Sequence, residues 1–336
     1  MKKSTEPNHQ TRDTFALMGI AALLIINSHL EMLYPKSFMA ADGLVGNVIF
    51  FVLAGYGVTL SQLNRPDPIL PFYLRRIVRI YPSLVVAVLV SLPFHTVSFD
   101  VSQPIEWLKA MIWPTSYGFV SQIVISYPLV WVLARCNTKI FTYFVVGVAT
   151  IWLGIWVFIQ QTPVSTNLSL GQLPTTLWAS FFFLATCVGA LLARISIPNV
   201  FTQGWLTLWV LVVMYVGLKF ELALRFLSSP VTISSTFLAG ILQILALALA
   251  SILLMKHDAL NKFLSRLQIK YPLEWVGKIS LQTYLLHMTV CKWVVDIPLV
   301  WWLQVPLVFI VSLVVSWILL KTLTFVQLPK KAKLVE

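Results

Sequence analysis

Long apolar runs separated by short polar gaps make up most of this 336-residue chain. A helix needs roughly 20 apolar residues to cross the hydrocarbon core of a bilayer, because unpaired backbone groups are costly in lipid. Ten runs reach that length and predict an all-α, polytopic membrane helix bundle. The ten predicted transmembrane spans are 14–33, 44–63, 79–98, 116–135, 140–160, 174–193, 204–222, 233–255, 278–297 and 299–321.

Composition and charge indicate how the bundle is oriented. Hydrophobic residues make up 58% of the chain and charged residues 11%, whereas soluble domains are about 25% charged. The 24 Lys and Arg residues against 12 Asp and Glu give a net charge of +12. With a cytoplasmic N-terminus, 19 of the 24 basic residues fall in inner segments, which predicts an N-in/C-in orientation in the inner (cytoplasmic) membrane. Because these residues lie in short gaps rather than on one polar face, we expect no nucleic-acid partner.

The spans leave no room for a soluble domain. We predict a cytoplasmic N-terminal segment at 1–13, a transmembrane domain at 14–321 and a cytoplasmic C-terminal tail at 322–336. Segment 105–113 is too short to span and is predicted to lie at the outer interface. An alternative interpretation of the N-terminus is a signal peptide cleaved near Met39–Ala41, but that distance from the basic start is long for a signal.

Histidines are the main candidates for chemistry inside the bundle, because ionisable groups are costly in lipid and mark cavities or reaction centres. His29 lies in the outward half of the first span, His95 near the outer end of the third and His287 midway along the ninth. His9 and His257 fall outside the spans and are predicted to be solvated. A neutral imidazole can accept a proton near pH 7, so His29 is the best candidate general base. The alternative is a buried histidine hydrogen-bonded to a neighbouring helix.

Neither the histidines nor the cysteines suggest a metal centre. The histidines show no i, i+3 or i, i+4 pairing of the kind that binds zinc on a helix. The three cysteines lack metal-binding spacing and are predicted to be buried apolar side chains. These are Cys136, Cys187 and Cys291. We therefore predict no metal site.

A cluster of three arginines, Arg75, Arg76 and Arg79, precedes the third predicted span at its cytoplasmic mouth. Guanidinium groups bind phosphate through two parallel hydrogen bonds, so this cluster could hold a phosphorylated cofactor at the membrane surface. The alternative is simple anchoring to anionic lipid. Three arginines without a lysine shift the balance towards recognition, and both interpretations stay open.

Four stretches, in order along the chain, resemble the acyltransferase 3 family of integral-membrane acyltransferases. They are His29 in the first span, FFVLAGY at 50–56, FYLRRIVRIYP at 72–82 and GKISLQTYLLH at 277–287. The small residues of the second stretch also allow close helix packing. Each match is weak alone, but their order together with ten predicted spans makes a fairly specific signature.

The resemblance implies that His29 is the family's essential histidine and that Arg76 and Arg79 are its arginine pair for the acyl donor. It also implies acyl-CoA, commonly acetyl-CoA, as a donor substrate at the cytoplasmic side, with no permanently bound cofactor. The chain departs from the family pattern at Met18, where an arginine is usual, and at Ala54, where a serine is usual. An expected acidic residue near position 15 is also missing.

These observations lead to the hypothesis of an O-acyltransferase that moves an acyl group, with acetyl expected, to a hydroxyl of an extracytoplasmic or lipid-linked carbohydrate. The hypothesis requires His29, buried in the bundle, to share one continuous cavity with the arginine cluster. The candidates for donating a hydrogen bond to the oxyanion are Asn27, Ser28, Tyr56 and Gln122. The sequence does not indicate which of them has this role. The alternatives are a small-solute transporter and a catalytically silent member that assembles with polysaccharide synthesis proteins.

Overall fold

The computed structural model describes residues 13–40, 43–94, 102–107, 118–161, 175–195, 209–218 and 233–327. These ranges contain helices and no strands, which confirms the predicted all-α class. The longer helices are α1 (Phe15–Ser28), α2 (Gly43–Asn64), α3 (Ile69–Ser91), α4 (Gly118–Leu133), α5 (Thr138–Gln161), α6 (Thr175–Leu192), α7 (Trp209–Leu218), α8 (Ile233–Met255), α9 (His257–Arg266), α10 (Lys270–Lys278), α11 (Ser280–Val295) and α12 (Trp301–Gln327).

Four helical segments are long and apolar enough to cross a membrane, namely Gly43–Asn64, Ile69–Phe94, Thr138–Phe158 and Trp301–Phe325. A fifth span arises if Ala239–Met255 and His257–Arg266, which meet at 76°, count as one. Each of the ten predicted spans overlaps a helix, but α1, α4, α6 and α7 are shorter apolar helices. The count of ten spans and the N-in/C-in orientation therefore stay predictions. Most of the 105–113 segment and His95 lie outside the described residues.

Helix α3 begins ten residues before the predicted span, at Ile69 rather than 79. The arginine cluster therefore lies within the first turns of a continuous helix, not before it. Arginine has high helix propensity, and the apolar residues between the arginines continue the helical face. We call the end of the bundle where α3 begins the basic end.

Helix α1 is 14 residues long and ends at Ser28, five residues before the predicted end. At 1.5 Å per residue it is roughly 21 Å long, shorter than the ~30 Å hydrocarbon core. Its last residues are polar, and the Ser28 hydroxyl donates to the carbonyl of Ile25 at 2.7 Å. The Asn27 amide donates to the carbonyl of Met39 at 3.0 Å, which ties α1 to the loop that follows it. Such side-chain bonds compete with helical ones and end the helix.

Two short helices, α9 and α10, fold between the predicted eighth and ninth spans. His257 lies at the bend before α9 and is 3% exposed, so the prediction that it is solvated was wrong. Its Nδ1 lies 3.1 Å from the carbonyl oxygen of Leu254, and its Nε2 lies 2.7 Å from a carboxylate oxygen of Asp258. Hydrogen bonding to both ring nitrogens allows the imidazole to be buried.

Helix α10 packs closely against the start of α1 through two glycines. A Cβ atom at Gly19 would lie 2.1 Å from the carbonyl oxygen of Leu273, and one at Gly277 would lie 1.9 Å from that of Phe15. Neither position has room for a side chain. This crossing fixes the start of α1 beside the junction between α10 and α11, where the candidate site is built.

Helices α2 and α6 cross in the same way at the centre of the bundle. A Cβ atom at Gly55 would lie 1.9 Å from the carbonyl oxygen of Thr186, and one at Gly189 would lie 1.9 Å from that of Val52. Small residues at such crossings let the backbones approach, as predicted for the FFVLAGY stretch. Gly57, in contrast, has room for a side chain, because no described neighbouring atom lies within 4 Å of the position that its Cβ atom would take.

Candidate active site

A cavity of about 630 Å³ lies at the basic end, between α1, α2, α3, α4 and the start of α11. We call it the large cavity. Its walls are mainly apolar, and arginines stand among the residues that line it: Arg65, Arg76 and Arg79. A pocket of this size with apolar walls and a few cationic groups fits an elongated ligand that carries anionic groups at one end.

The three predicted arginines do not all face this cavity. Arg76 is half-buried, and its guanidinium carbon lies 5.5 Å from the ring centre of Phe72 and 5.8 Å from that of Tyr127. Arg79 is exposed and also lines the large cavity. Arg75 does not line it and instead forms an ion pair with Asp67. The structure thus brings Arg76 and Arg79 together in the large cavity and separates Arg75 from it.

Aromatic rings from three helices stand at the inner part of the large cavity. Phe50, Phe119 and Tyr284 all line it. The ring centres of Phe50 and Phe119 lie 5.6 Å apart, and those of Phe119 and Tyr284 lie 4.6 Å apart. Tyr284 is also the link to the histidines, because its ring centre lies 5.8 Å from that of His287.

His29 and His287 lie side by side beyond this aromatic layer. Their ring centres are 4.9 Å apart with an interplanar angle of 44°. The thiol of Cys291 lies 3.3 Å from the carbonyl oxygen of His29 and holds the end of α1 against α11. Three rings, Tyr284, His287 and His29, therefore form a continuous column that leads away from the large cavity. We call it the ring column.

Two expectations for His29 were wrong. His29 is an exposed residue just after the last turn of α1 rather than a fully buried one, although one side of its ring packs against His287. His29 is also not among the residues that line the large cavity, which reaches Tyr284 instead. The ring column separates the imidazole of His29 from the arginines.

The sequence did not indicate that His287 packs against His29 in the candidate site. It is 2% exposed, and its Nδ1 lies 2.7 Å from the carbonyl oxygen of Tyr284 and 3.2 Å from that of Thr283. A carbonyl can only accept, so Nδ1 carries the proton and Nε2 keeps its lone pair. Nε2 is buried without a hydrogen-bond partner among the described residues. The one signal in the sequence was the position of His287 at the end of the GKISLQTYLLH stretch.

Three of the four oxyanion-stabilising candidates are bonded elsewhere. Asn27 accepts a hydrogen bond from the Tyr34 hydroxyl at 2.6 Å and donates to a backbone carbonyl, and Ser28 donates to its own helix. The side-chain amide of Gln122 donates to the carbonyl of Ala179. Tyr56 is the member of this set that lines the large cavity.

Comparison with known proteins agrees with this architecture. The family model described as an acyltransferase domain of the acyltransferase 3 type matches residues 16–321, nearly the whole chain. The chain belongs to the acyltransferase 3 family. No curated protein and no solved structure matches it. Family membership and the apolar helices together fit a multi-pass membrane acyltransferase.

The three departures from the acyltransferase 3 pattern all fall on the large cavity. Phe15, where an acidic residue is expected nearby, Met18 and Ala54 line it. An arginine at position 18 would add a cation from α1, and a serine at position 54 would add a hydroxyl. In this family member the cavity is therefore less polar than the family pattern predicts.

Proposed function

We propose that this protein is an integral-membrane O-acyltransferase. It takes an acyl group, most simply acetyl, from acyl-CoA at the basic end and passes it to a carbohydrate hydroxyl at the opposite side. The single observation that carries the proposal is the arrangement of the site. A large cavity with arginines in its walls leads to a ring column that ends at an exposed histidine.

The large cavity suits the donor. Acyl-CoA joins a multiply phosphorylated nucleotide to a long, uncharged arm, and the cavity joins cationic side chains to apolar walls. Arg76 and Arg79 would bind the phosphates through charge-assisted hydrogen bonds. Arg75, one turn away and paired with Asp67, adds positive charge without lining the large cavity. On this view the carbonyl end of the donor lies at Phe50, Phe119 and Tyr284.

His29 suits the acceptor. Because His29 is an exposed residue, a carbohydrate hydroxyl could reach the imidazole from the side opposite the large cavity. The imidazole would take the hydroxyl proton as the oxygen attacks the thioester carbonyl. The new C–O bond forms, the C–S bond breaks, and the departing thiolate recovers the proton as free CoA. His287, packed behind His29, would hold the imidazole in position.

The transfer needs one local rearrangement. Tyr284 and then His287 lie between the large cavity and His29, so both rings must move for the thioester to reach His29. Tyr284 is only partly buried, which leaves room for such a movement. Side-chain gating of this kind is common at sites where reaction follows binding.

The test is transfer of labelled acetyl from acetyl-CoA to the carbohydrate fraction of membranes that contain the protein. His29→Ala should abolish transfer, whereas Arg76→Ala should raise the donor concentration needed for half-maximal transfer. Equal labelling by wild type and His29→Ala, at equal protein abundance, would contradict the proposal.

Met18 in the cavity favours one second candidate, a catalytically silent family member that assembles with polysaccharide synthesis proteins. The absence of an arginine at this position removes a cation from the donor cavity. Binding of acetyl-CoA to the purified protein separates the two candidates. A silent member would bind no donor and would release no CoA with any carbohydrate acceptor.

A further inference from the structure

A second, smaller cavity of about 290 Å³ lies beside the large one at the basic end. We call it the small cavity. It is formed by α3, by the junction between α10 and α11, and by the last turns of α12. Arg79 and Met18 line both cavities, so they form part of the wall between them. The small cavity contains neither His29 nor Arg76. The acyl-transfer proposal shares Arg75 and Arg79 with it and uses none of its other polar side chains.

Positive charge is concentrated on the walls of the small cavity. Arg75, Arg79 and Lys278 all line it. Arg75 is paired with Asp67, but no described carboxylate lies within 4.0 Å of Arg79 or Lys278. Two cations from different helices therefore face one small space without a described counter-ion. Such an arrangement favours an anionic ligand, and phosphate in particular when a guanidinium takes part.

A buried polar pair adds directional hydrogen bonding to this charge. Gln282 is 5% exposed and Ser83 is 1% exposed, and both line the small cavity. The Gln282 amide nitrogen donates to the Ser83 hydroxyl at 3.0 Å. The Gln282 carbonyl oxygen, Oε1, is buried and has no hydrogen-bond partner among the described residues. Buried acceptors are normally satisfied, so this oxygen calls for a donor from a ligand.

The other side of the small cavity is apolar and faces outward from the bundle. Val78 is 59% exposed, and Leu320 and Leu323 line the same cavity from α12. Both α3 and α12 are among the helices long enough to cross a membrane. The small cavity therefore lies where a phospholipid would place its headgroup against the basic end and its acyl chains along α3 and α12.

We propose that the small cavity binds an anionic glycerophospholipid whose headgroup carries a hydroxyl, of the phosphatidylglycerol class. The phosphate lies between Arg79 and Lys278, and the headgroup hydroxyl donates to Oε1 of Gln282. Lipid rather than CoA is the source of this phosphate because the apolar side of the cavity opens between two membrane-spanning helices.

The test measures lipid binding to the purified full-length protein in a neutral detergent by native mass spectrometry. Three lipids with the same acyl chains are the probes: phosphatidylglycerol, phosphatidylmethanol, which is anionic but has no hydroxyl, and phosphatidylcholine. The wild-type protein should bind one phosphatidylglycerol about 3- to 10-fold more tightly than phosphatidylmethanol, a ratio expected for one additional hydrogen bond. It should bind phosphatidylcholine most weakly.

Two substitutions separate the two contacts. Lys278→Gln should weaken binding of both anionic lipids about 10-fold, whereas Lys278→Arg should keep it. Gln282→Leu should remove the preference for phosphatidylglycerol and leave binding of phosphatidylmethanol unchanged. Lys321→Gln is the matched control, because Lys321 is an exposed lysine near the same end of α12 that does not line the small cavity.

Three results would overturn the proposal. The first is equal binding of the three lipids by the wild-type protein, which requires no variant to fold. The second is an equal effect of Lys278→Gln and Lys321→Gln, which would indicate diffuse charge attraction. The third is an equal loss of CoA binding and phosphatidylglycerol binding in Lys278→Gln, which would assign the small cavity to the donor's phosphates because Lys278 does not line the large cavity. None of these results depends on whether acyl transfer occurs.

Discussion

The two ends of the candidate site differ in how far they are preformed. At the basic end, a cavity of about 630 Å³ is lined by cationic side chains from α3 and from Arg65, the residue after α2. At the other end, His29 and His287 are packed ring against ring, and neither lines a described cavity. Under the proposed function, the donor site would be formed in advance, whereas transfer would require the rings of Tyr284 and His287 to move.

Loss of the imidazole should have the largest effect. His29→Ala removes the proposed general base, and such groups contribute about 100- to 10,000-fold to rate. We expect acyl transfer to fall by at least about 100-fold, while binding of acyl-CoA stays unchanged because the large cavity is intact. Donor binding by the same preparation is the control. If His29→Ala lowered donor binding as much as transfer, the histidine end and the basic end would not act independently.

Loss of a cavity arginine should affect the opposite end. Arg76→Ala should raise the KM for acyl-CoA about 10- to 100-fold with little change in kcat, because a charge-assisted hydrogen bond contributes about 1.5–3 kcal/mol. Arg75→Ala is the matched comparison and should raise KM less, since Arg75 does not line the large cavity. Equal effects of the two substitutions would indicate that only the total charge of the cluster matters.

A larger ring at position 284 should hinder the passage of the acyl group between the large cavity and the histidines. Tyr284→Trp adds bulk to the layer beside His287 and should lower kcat about 10-fold without changing donor KM. Tyr284→Phe keeps the ring and should change kcat by a few-fold at most. Steady-state kinetics of the pair measure both quantities. If Tyr284→Trp raised KM and left kcat alone, Tyr284 would belong to donor binding rather than to gating.

Restoring the family's arginine should have the smallest effect. Met18→Arg adds a cation to the large cavity and should lower the donor KM about 3- to 10-fold. This is the change in affinity expected from one added hydrogen bond. Met18→Gln, which adds polarity without charge, is the control. A rise in KM with Met18→Arg would mean that the apolar wall at this position is itself part of donor binding.

The sequence predicted the long helices better than their ends. The bounds of α2, α5 and α8 lie within two residues of the predicted spans, because each is one uninterrupted apolar run. The end of α1 and the start of α3 were missed, since polar capping and the helix propensity of arginine determine them rather than hydropathy. Helices α9 and α10 were missed as well, because they are too short and too polar to give a span signal.

The site was predicted in its parts but not in its arrangement. Arg76 and Arg79 line the large cavity, whereas His29 lies outside it. The contact between His29 and His287 could not be predicted, because it depends on how α1 packs against α11, far away along the chain. The separation of Arg75 from the large cavity depends on its pairing with Asp67, which helical spacing alone does not reveal.

The central claim is that donor binding at the basic end and the histidine at the opposite side serve one transfer reaction. The direct test uses sealed vesicles of known orientation with labelled acetyl-CoA supplied only at the basic end. We expect label in carbohydrate on the other side with wild-type protein and none with His29→Ala. Label transferred equally by both proteins, or only from donor supplied at the opposite side, would contradict it.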